Sequence, residues 1–234
     1  MKIIILCGGV GKRISSETKT KPKPMIKIGG KPILEHIMDR YLKYNLNDFY
    51  LLLGYKGDQI KNYFKKKNKF KIKFIKTGKE TGTGGRILKI RKFIKKNENF
   101  MLTYGDGLTD QNFNKLLKFH KNNKKICTIT IVRPPARFGE VKIKKNIITR
   151  YREKRPPTVG WINGGFMVLN QKIFNFLNKK NNFEMLEGKP MEKLSRKKKL
   201  AGFRHKGFWQ CMDTLKEKEY LNNLFKNKMA PWTK

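Results

Sequence analysis

Between residues 3 and 132, short apolar runs alternate four times with segments of helical spacing, and that alternation leaves few folds open. IIILC is a five-residue run that reads as a buried strand. KPILEHIMDRYLKYN follows, with apolar residues at 33, 34, 37, 38, 41 and 42, the spacing of one helix face, and Pro32 near its start. DFYLLLGY is a second strand and GDQIKNYFKK a short helix, while FKIKFI alternates like a half-exposed strand. After the loop TGKETGTGG comes a helix over RILKIRKFI, then the strand NFMLTYG, which breaks at Asp106. QNFNKLLKFHKN is helical again and leads into the strand KICTITIV. Strands separated by helices are joined by crossovers and lie parallel, so the pattern predicts an α/β fold with a mostly parallel central sheet between helices, a Rossmann-like three-layer sandwich. Beyond Val132 the segments RPPARFGEVKI, NIITRYREK and GWINGGFMVL predict shorter strands with mixed pairing, and LKEKEYLNNLF closes the chain as a helix. No low-complexity linker or internal repeat interrupts the chain, which predicts a single domain over 1–234.

A chain of 234 residues with 16 Phe can bury a substantial core. No stretch approaches the ~18 apolar residues of a membrane span, and the N-terminal run is too short for a signal-peptide core. Cys7, Cys127 and Cys211 are odd in number and lack metal-like spacing, which predicts a reduced, cytoplasmic setting. The net charge of +39 raises the question of a polyanion partner. Of the 56 basic residues, however, 45 are Lys and 11 are Arg, and phosphate or base readout favours Arg. The lysines are scattered and accompanied by Asn and Ile, so they are expected to be solvated faces. Neither nucleic acid nor membrane is an expected partner.

Ligands of open α/β sheets bind at the carboxyl ends of the strands, so the loops there carry the chemistry. The first is CGGVGKR. It is no P-loop, because the glycine spacing is wrong and Arg13 follows Lys12 where Ser or Thr is required. It is no dinucleotide fingerprint either, since Ile14 stands where a small residue is needed. Glycines 8, 9 and 11 still allow backbone N–H groups to approach an anion, with Lys12, Arg13 and Lys23 adding charge; a plain glycine-rich turn with solvated cations is equally compatible. Asp106, between two glycines at a strand end, suits a hard cation such as Mg²⁺ or a simple turn. Asp213, in GFWQCMDT, reads by itself as a helix N-cap.

The ordered set GGVGKR, PKPM, IGGKPILEHIM, TGGR, TYGDG, RFG, EK, WINGGF, FWQCMDT and APW, spanning Lys2 to Trp232, resembles the sugar-phosphate nucleotidyltransferases. Within that family WINGGF, TYGDG and the FWQ-x-MDT segment look most like the branch that uses CTP and glucose 1-phosphate, rather than the thymidylyl branch. The resemblance implies transfer of a nucleotidyl group to a sugar 1-phosphate with loss of pyrophosphate, a nucleotide-binding half over 1–132 and a sugar-phosphate half over 133–234. It also implies Mg²⁺ as cofactor and assembly into a homo-oligomer.

By the same resemblance, the backbone of Leu6, Cys7, Gly8, Gly9, Val10 and Gly11 wraps the nucleotide, with Lys12 in the same loop. Arg13 steadies the leaving phosphates and Lys23 meets the α-phosphate. Asp106, flanked by Gly105, and Asp213 match the family's metal-binding acids. Thr81 and Arg86 match nucleotide-contacting positions. Glu153 and Lys154 match an EK pair for the sugar and its phosphate, and Asn163 and Gly164 line the sugar side. Three departures stand out: Lys12 where the family's loop normally has Thr, Arg155 inserted after the EK pair, and a shorter region between Phe64 and Thr81. The same fold acting on another sugar phosphate, or with dTTP or UTP, is the alternative reading. A non-catalytic polyanion-binding protein is a third.

Overall fold

Ile3, Ile4 and Ile5 are fully buried on both sides of the strand that carries them, so helices must cover both faces of the sheet around it. A computed structural model describes residues 1–133, 140–152 and 160–234. In chain order its strands are β1 (Ile3–Cys7), β2 (Lys27–Ile28), β3 (Lys31–Pro32), β4 (Phe49–Leu53), β5 (Ile72–Lys76), β6 (Asn99–Tyr104), β7 (Gly107–Thr109), β8 (Cys127–Val132), β9 (Glu140–Lys144), β10 (Ile147–Arg152), β11 (Ile162–Asn170), β12 (Leu200–Arg204) and β13 (Trp209–Cys211). The helices are α1 (Ser15–Thr18), α2 (Ile33–Leu42), α3 (Gly57–Phe64), α4 (Thr83–Leu88), α5 (Phe113–Asn123), α6 (Lys189–Arg196) and α7 (Leu215–Lys226).

The central sheet has seven strands in the order β12-β8-β11-β6-β1-β4-β5. β1 pairs in parallel with β4 and β6, β4 with β5, and β12 with β8. Only β11, inserted between β6 and β8, runs against its neighbours, so the mostly parallel sheet predicted from the alternation is present and both halves of the chain build it. Ile3, Ile5 and Cys7 join one core with residues of α2, α3, α5 and α7, among them Leu34, Ile37, Phe64, Phe113 and Leu221. Ile4 and Leu6 join the other with Ile87 of α4 and Met191 and Leu194 of α6.

Several elements differ from the expectation. The helix expected over RILKIRKFI starts earlier, at Thr83, and gives way to a 3-10 turn at Arg91–Phe93. Its glycine-rich first turn is helical because it packs against the chain around residues 181–187. Gly82 N–H donates to the Asn182 carbonyl at 2.8 Å, and Gly84 N–H donates to the Glu184 carbonyl at 2.9 Å. Helix α6 and strand β12 were not anticipated, since the lysine-rich stretch around them masks their periodicity.

Short ladders outside the sheet complete the site. β13 pairs antiparallel with β7, Cys211 opposite Gly107, and Met212 N–H donates to the Asp106 carbonyl at 2.9 Å. Asp213 is thereby delivered beside Asp106.

Candidate active site

The two predicted acids sit where strands run out, and the predicted cations lie in turns and helices of the neighbouring loops. Asp106 follows β6, and Asp213 follows β13. Arg13 lies in the 3-10 turn Lys12–Ile14 after β1, and Lys23 opens the 3-10 turn Lys23–Met25, between Pro22 and Pro24. The two prolines fix the backbone on either side of Lys23. The Lys23 ammonium donates to Asp106 Oδ2 and Asp213 Oδ1, each at 2.5 Å. An Arg13 guanidinium nitrogen lies 3.0 Å from the other Asp213 oxygen, Oδ2, with the Arg13 side chain 73% exposed.

Burial alone would lower the Lys23 pKa, but Asp106 and Asp213 outweigh it and hold the ammonium above its ordinary value. Burial opposes ionisation of Asp213 too, yet the Lys23 hydrogen bond and charge and the nearby Arg13 keep its carboxyl below the usual carboxylate range. The Cys211 thiol, which donates to Asp213 Oδ2 at 3.4 Å, is pushed up to about 12 by burial and by Asp213. It is therefore a thiol and not a nucleophile. Cys7 is likewise raised by burial.

Asp213 is not the cap of the last helix, as expected from sequence. Thr214 is the N-cap, with its hydroxyl accepting from Glu217 N–H at 3.3 Å. Glu217 Oε2 accepts in return from the N–H groups of Asp213 at 2.7 Å and Thr214 at 2.9 Å. The Asp213 side chain is released from capping and turned to Lys23. The pattern Thr214-x-x-Glu217 is the capping-box signature, and it was available in the sequence to make this assignment.

Arg86 is 3% exposed and has four oxygen acceptors: Thr77 Oγ1, the Gly78 carbonyl at 2.9 Å, the Gly8 carbonyl at 3.1 Å and the Lys79 carbonyl at 3.1 Å. It clamps the loop after β1 to the loop after β5. A Cβ on Gly8 would overlap the Arg86 guanidinium and displace it from these acceptors. All four acceptors are neutral, so the guanidinium keeps its charge at the wall of the cavity. Thr81 donates to the Thr77 carbonyl at 2.5 Å in the same turn. Tyr104, at the end of β6, donates to Glu187, whose other oxygen accepts from Thr83 at 2.5 Å.

Together these groups enclose a cavity of about 600 Å³. Leu6, Cys7, Gly8, Gly9, Gly11, Arg13, Lys23, Thr81, Arg86, Gly105, Asp106 and Asp213 all line it. Sequence reading missed Tyr104, Phe183 and Met185, which also line it. The two apolar residues lie in the NNFEMLEG segment, which carries no motif signal. Val10, Asn163 and Gly164 are not among the lining residues. Asn163 Oδ1 accepts from Gly165 N–H at 2.8 Å, and the Gly164 carbonyl accepts from the Trp209 indole at 2.7 Å. Glu153 and Lys154, and the Lys12 side chain, lie outside the described residues.

A glycine loop with cations, facing two convergent carboxylates at the carboxyl edge of a parallel sheet, defines a protein that handles a polyphosphate. The chain belongs to the nucleotidyl transferase family: the family model described as "Nucleotidyl transferase" matches residues 2–222. It is 38% identical over 255 residues to glucose-1-phosphate cytidylyltransferase of Salmonella typhimurium, covering 99% of this chain and 98% of the relative. It is also 38% identical over 191 residues, 79% of this chain and 83% of the relative, to D-glycero-alpha-D-manno-heptose 1-phosphate guanylyltransferase of Campylobacter jejuni. Among solved structures it is similar to HddC from Yersinia pseudotuberculosis, with a TM-score of 0.75 and 25% identity over 96% of this chain and 99% of that one. The fold is shared with UDP-glucose pyrophosphorylase at a TM-score of 0.74 and 17% identity, over 97% of this chain and 98% of that chain. Among the described residues no helix is long and apolar enough to cross a membrane.

Proposed function

We propose that this nucleotidyltransferase moves CMP from CTP to glucose 1-phosphate, giving CDP-glucose and pyrophosphate. The observation that carries the reading is the convergence of Lys23, Arg13, Asp106 and Asp213 at one end of the glycine-lined cavity. The near full-length likeness to the Salmonella typhimurium enzyme supports the choice of substrates.

In this reading an oxygen of the sugar phosphate attacks the α-phosphorus of CTP, the bond to the β-phosphate oxygen breaks, and pyrophosphate carries that electron pair away. The work of the protein is positioning and charge neutralisation. Backbone N–H groups of Gly8, Gly9 and Gly11 border the triphosphate, Arg13 swings onto the leaving phosphates, and Lys23 reaches the α-phosphate as charge builds there. The donor set fits a divalent cation: Asp106 Oδ2 and Asp213 Oδ1 both point at one position, now marked by the Lys23 ammonium. Asp106 and Asp213 would hold Mg²⁺, which supplies Lewis-acid neutralisation of phosphate oxygens when bound. Glu153, Lys154, Asn163 and Gly164 are proposed for the sugar phosphate.

Pyrophosphate release with CTP, dTTP, UTP and GTP against glucose 1-phosphate tests the reading. CTP is expected to be used best, and preference for another nucleotide would overturn the assignment. The GTP arm is included because a guanylyltransferase is equally identical over its shorter match. Assembly into a homo-oligomer is proposed with the function, and light scattering of the purified chain checks it.

A further inference from the structure

We propose that in the substrate-free protein Lys23 occupies the place of the divalent cation, so that metal binding depends on the arrival of the triphosphate. The inference rests on the reading of Asp106 and Asp213 as cation-binding acids given above. Their oxygens Oδ2 and Oδ1 each lie 2.5 Å from the same ammonium nitrogen, so both carboxylates already have a cation at the point on which they converge. The second Asp213 oxygen is held by Arg13 at 3.0 Å. Two carboxylates against one ammonium and one guanidinium leave the cluster with no net charge.

A free dication entering this cluster has two courses, and both are unfavourable. It can lie beside the Lys23 ammonium, where like charges repel in a site whose Lys23 and Asp213 side chains are only 11% and 12% exposed. Or it can expel the ammonium, which then sits unpaired beside Arg13 and the buried Arg86 charge. The net charge of +39 on the whole chain opposes a dication further and favours a metal-bound triphosphate, which is an anion.

A triphosphate changes the balance by offering Lys23 another anion. The backbone of Lys23 is fixed between Pro22 and Pro24, so the response is confined to its flexible four-carbon stem. Rotation of that stem carries the ammonium from the carboxylates to a phosphate oxygen and frees Asp106 Oδ2 and Asp213 Oδ1 for the metal travelling with the nucleotide. Lys23 thereby makes the order of binding a property of the site, and it keeps the empty-handed enzyme from taking up metal in an unproductive position.

Titration of the protein with Mn²⁺ alone, read as free Mn²⁺ by electron paramagnetic resonance, tests this. Wild type is expected to bind at least about tenfold more weakly than Lys23→Met, the fold-change that one charge-assisted hydrogen bond represents. Lys23→Arg, which keeps the cation, is expected to stay weak. Adding CTP without sugar phosphate should strengthen Mn²⁺ binding to wild type by a larger factor than to Lys23→Met. Equal Mn²⁺ affinity of folded wild type and Lys23→Met overturns the proposal. So does wild type binding Mn²⁺ as tightly without CTP as with it, a measurement that needs no variant. The outcome separates from the catalytic reading: a gain in Mn²⁺ affinity on Lys23→Met, abolished by adding Asp106→Asn, upholds the occupancy even if no nucleotide supports pyrophosphate release.

Discussion

Lys23 and Arg86 are both buried cations at one cavity, yet their surroundings give them different work. The acceptors of Lys23 are two carboxylates that a substrate can replace, whereas Arg86 is spent on Thr77 and three carbonyls that hold two loops together. Lys23→Ala is therefore expected to lower kcat by on the order of 10²-fold, as removal of one charge-stabilising donor does, with steady-state pyrophosphate release as the measure. Asp106→Ala is expected to abolish pyrophosphate release, and near-normal turnover would remove Asp106 from the proposed metal site. Arg86→Ala is expected to act first on the fold. It strands the buried Thr77 hydroxyl and Gly8 carbonyl at about 1–3 kcal/mol each, so thermal unfolding should shift by several degrees. Asp106 and Asp213 were legible because motif and strand end coincide, and Lys23 because two prolines flank it. The structural duty of Arg86 was not, because its partners come from loops whose proximity only the tertiary fold creates.

At the scale of elements, the glycines of TGTGGR and the cap of α7 both act through backbone. Gly85 in the first turn of α4 faces the Asn182 carbonyl so closely that a Cβ would collide with it. Gly85→Ala is expected to push the 181–187 segment off α4, exposing the cavity wall formed by Phe183 and Met185, with increased proteolysis there as the observable. Thr214→Ala removes one side of the capping box and is expected to cost about 1 kcal/mol in urea unfolding. Because Glu217 also holds the Asp213 N–H, it should lower kcat more than KM. The strand–helix alternation made the parallel sheet legible, since period alone separates such segments. The insertion of β11 between β6 and β8 was not, because strand order depends on pairings between distant segments that no local pattern encodes.

The molecule as a whole is tied to its last residues through His36. This imidazole, 2% exposed, lies 2.8 Å through Nε2 from the Ile28 carbonyl and accepts at Nδ1 from the Trp232 indole at 3.2 Å. Both bonds require the neutral ring with its proton on Nε2. Burial lowers its pKa from 6.5 to about 4. The unfolded chain takes up this proton near 6.5 and the folded chain only near 4, so stability is full above 6.5 and falls as pH drops through that window. The loss amounts to about 3 kcal/mol once both forms are protonated. Urea midpoints measured between pH 7 and pH 5 should decline in wild type, and His36→Gln should flatten the decline while starting less stable.

The pairing of β7 with β13 has a kinetic consequence. Lys23 meets Asp106 across 83 positions of sequence and Asp213 across 190, so no contiguous fragment shorter than most of the chain contains the proposed constellation. Contacts this distant close late, after nearer pairings have formed. During dilution from denaturant, far-ultraviolet circular dichroism should recover before pyrophosphate release does, and the interval between them times the docking of that small ladder.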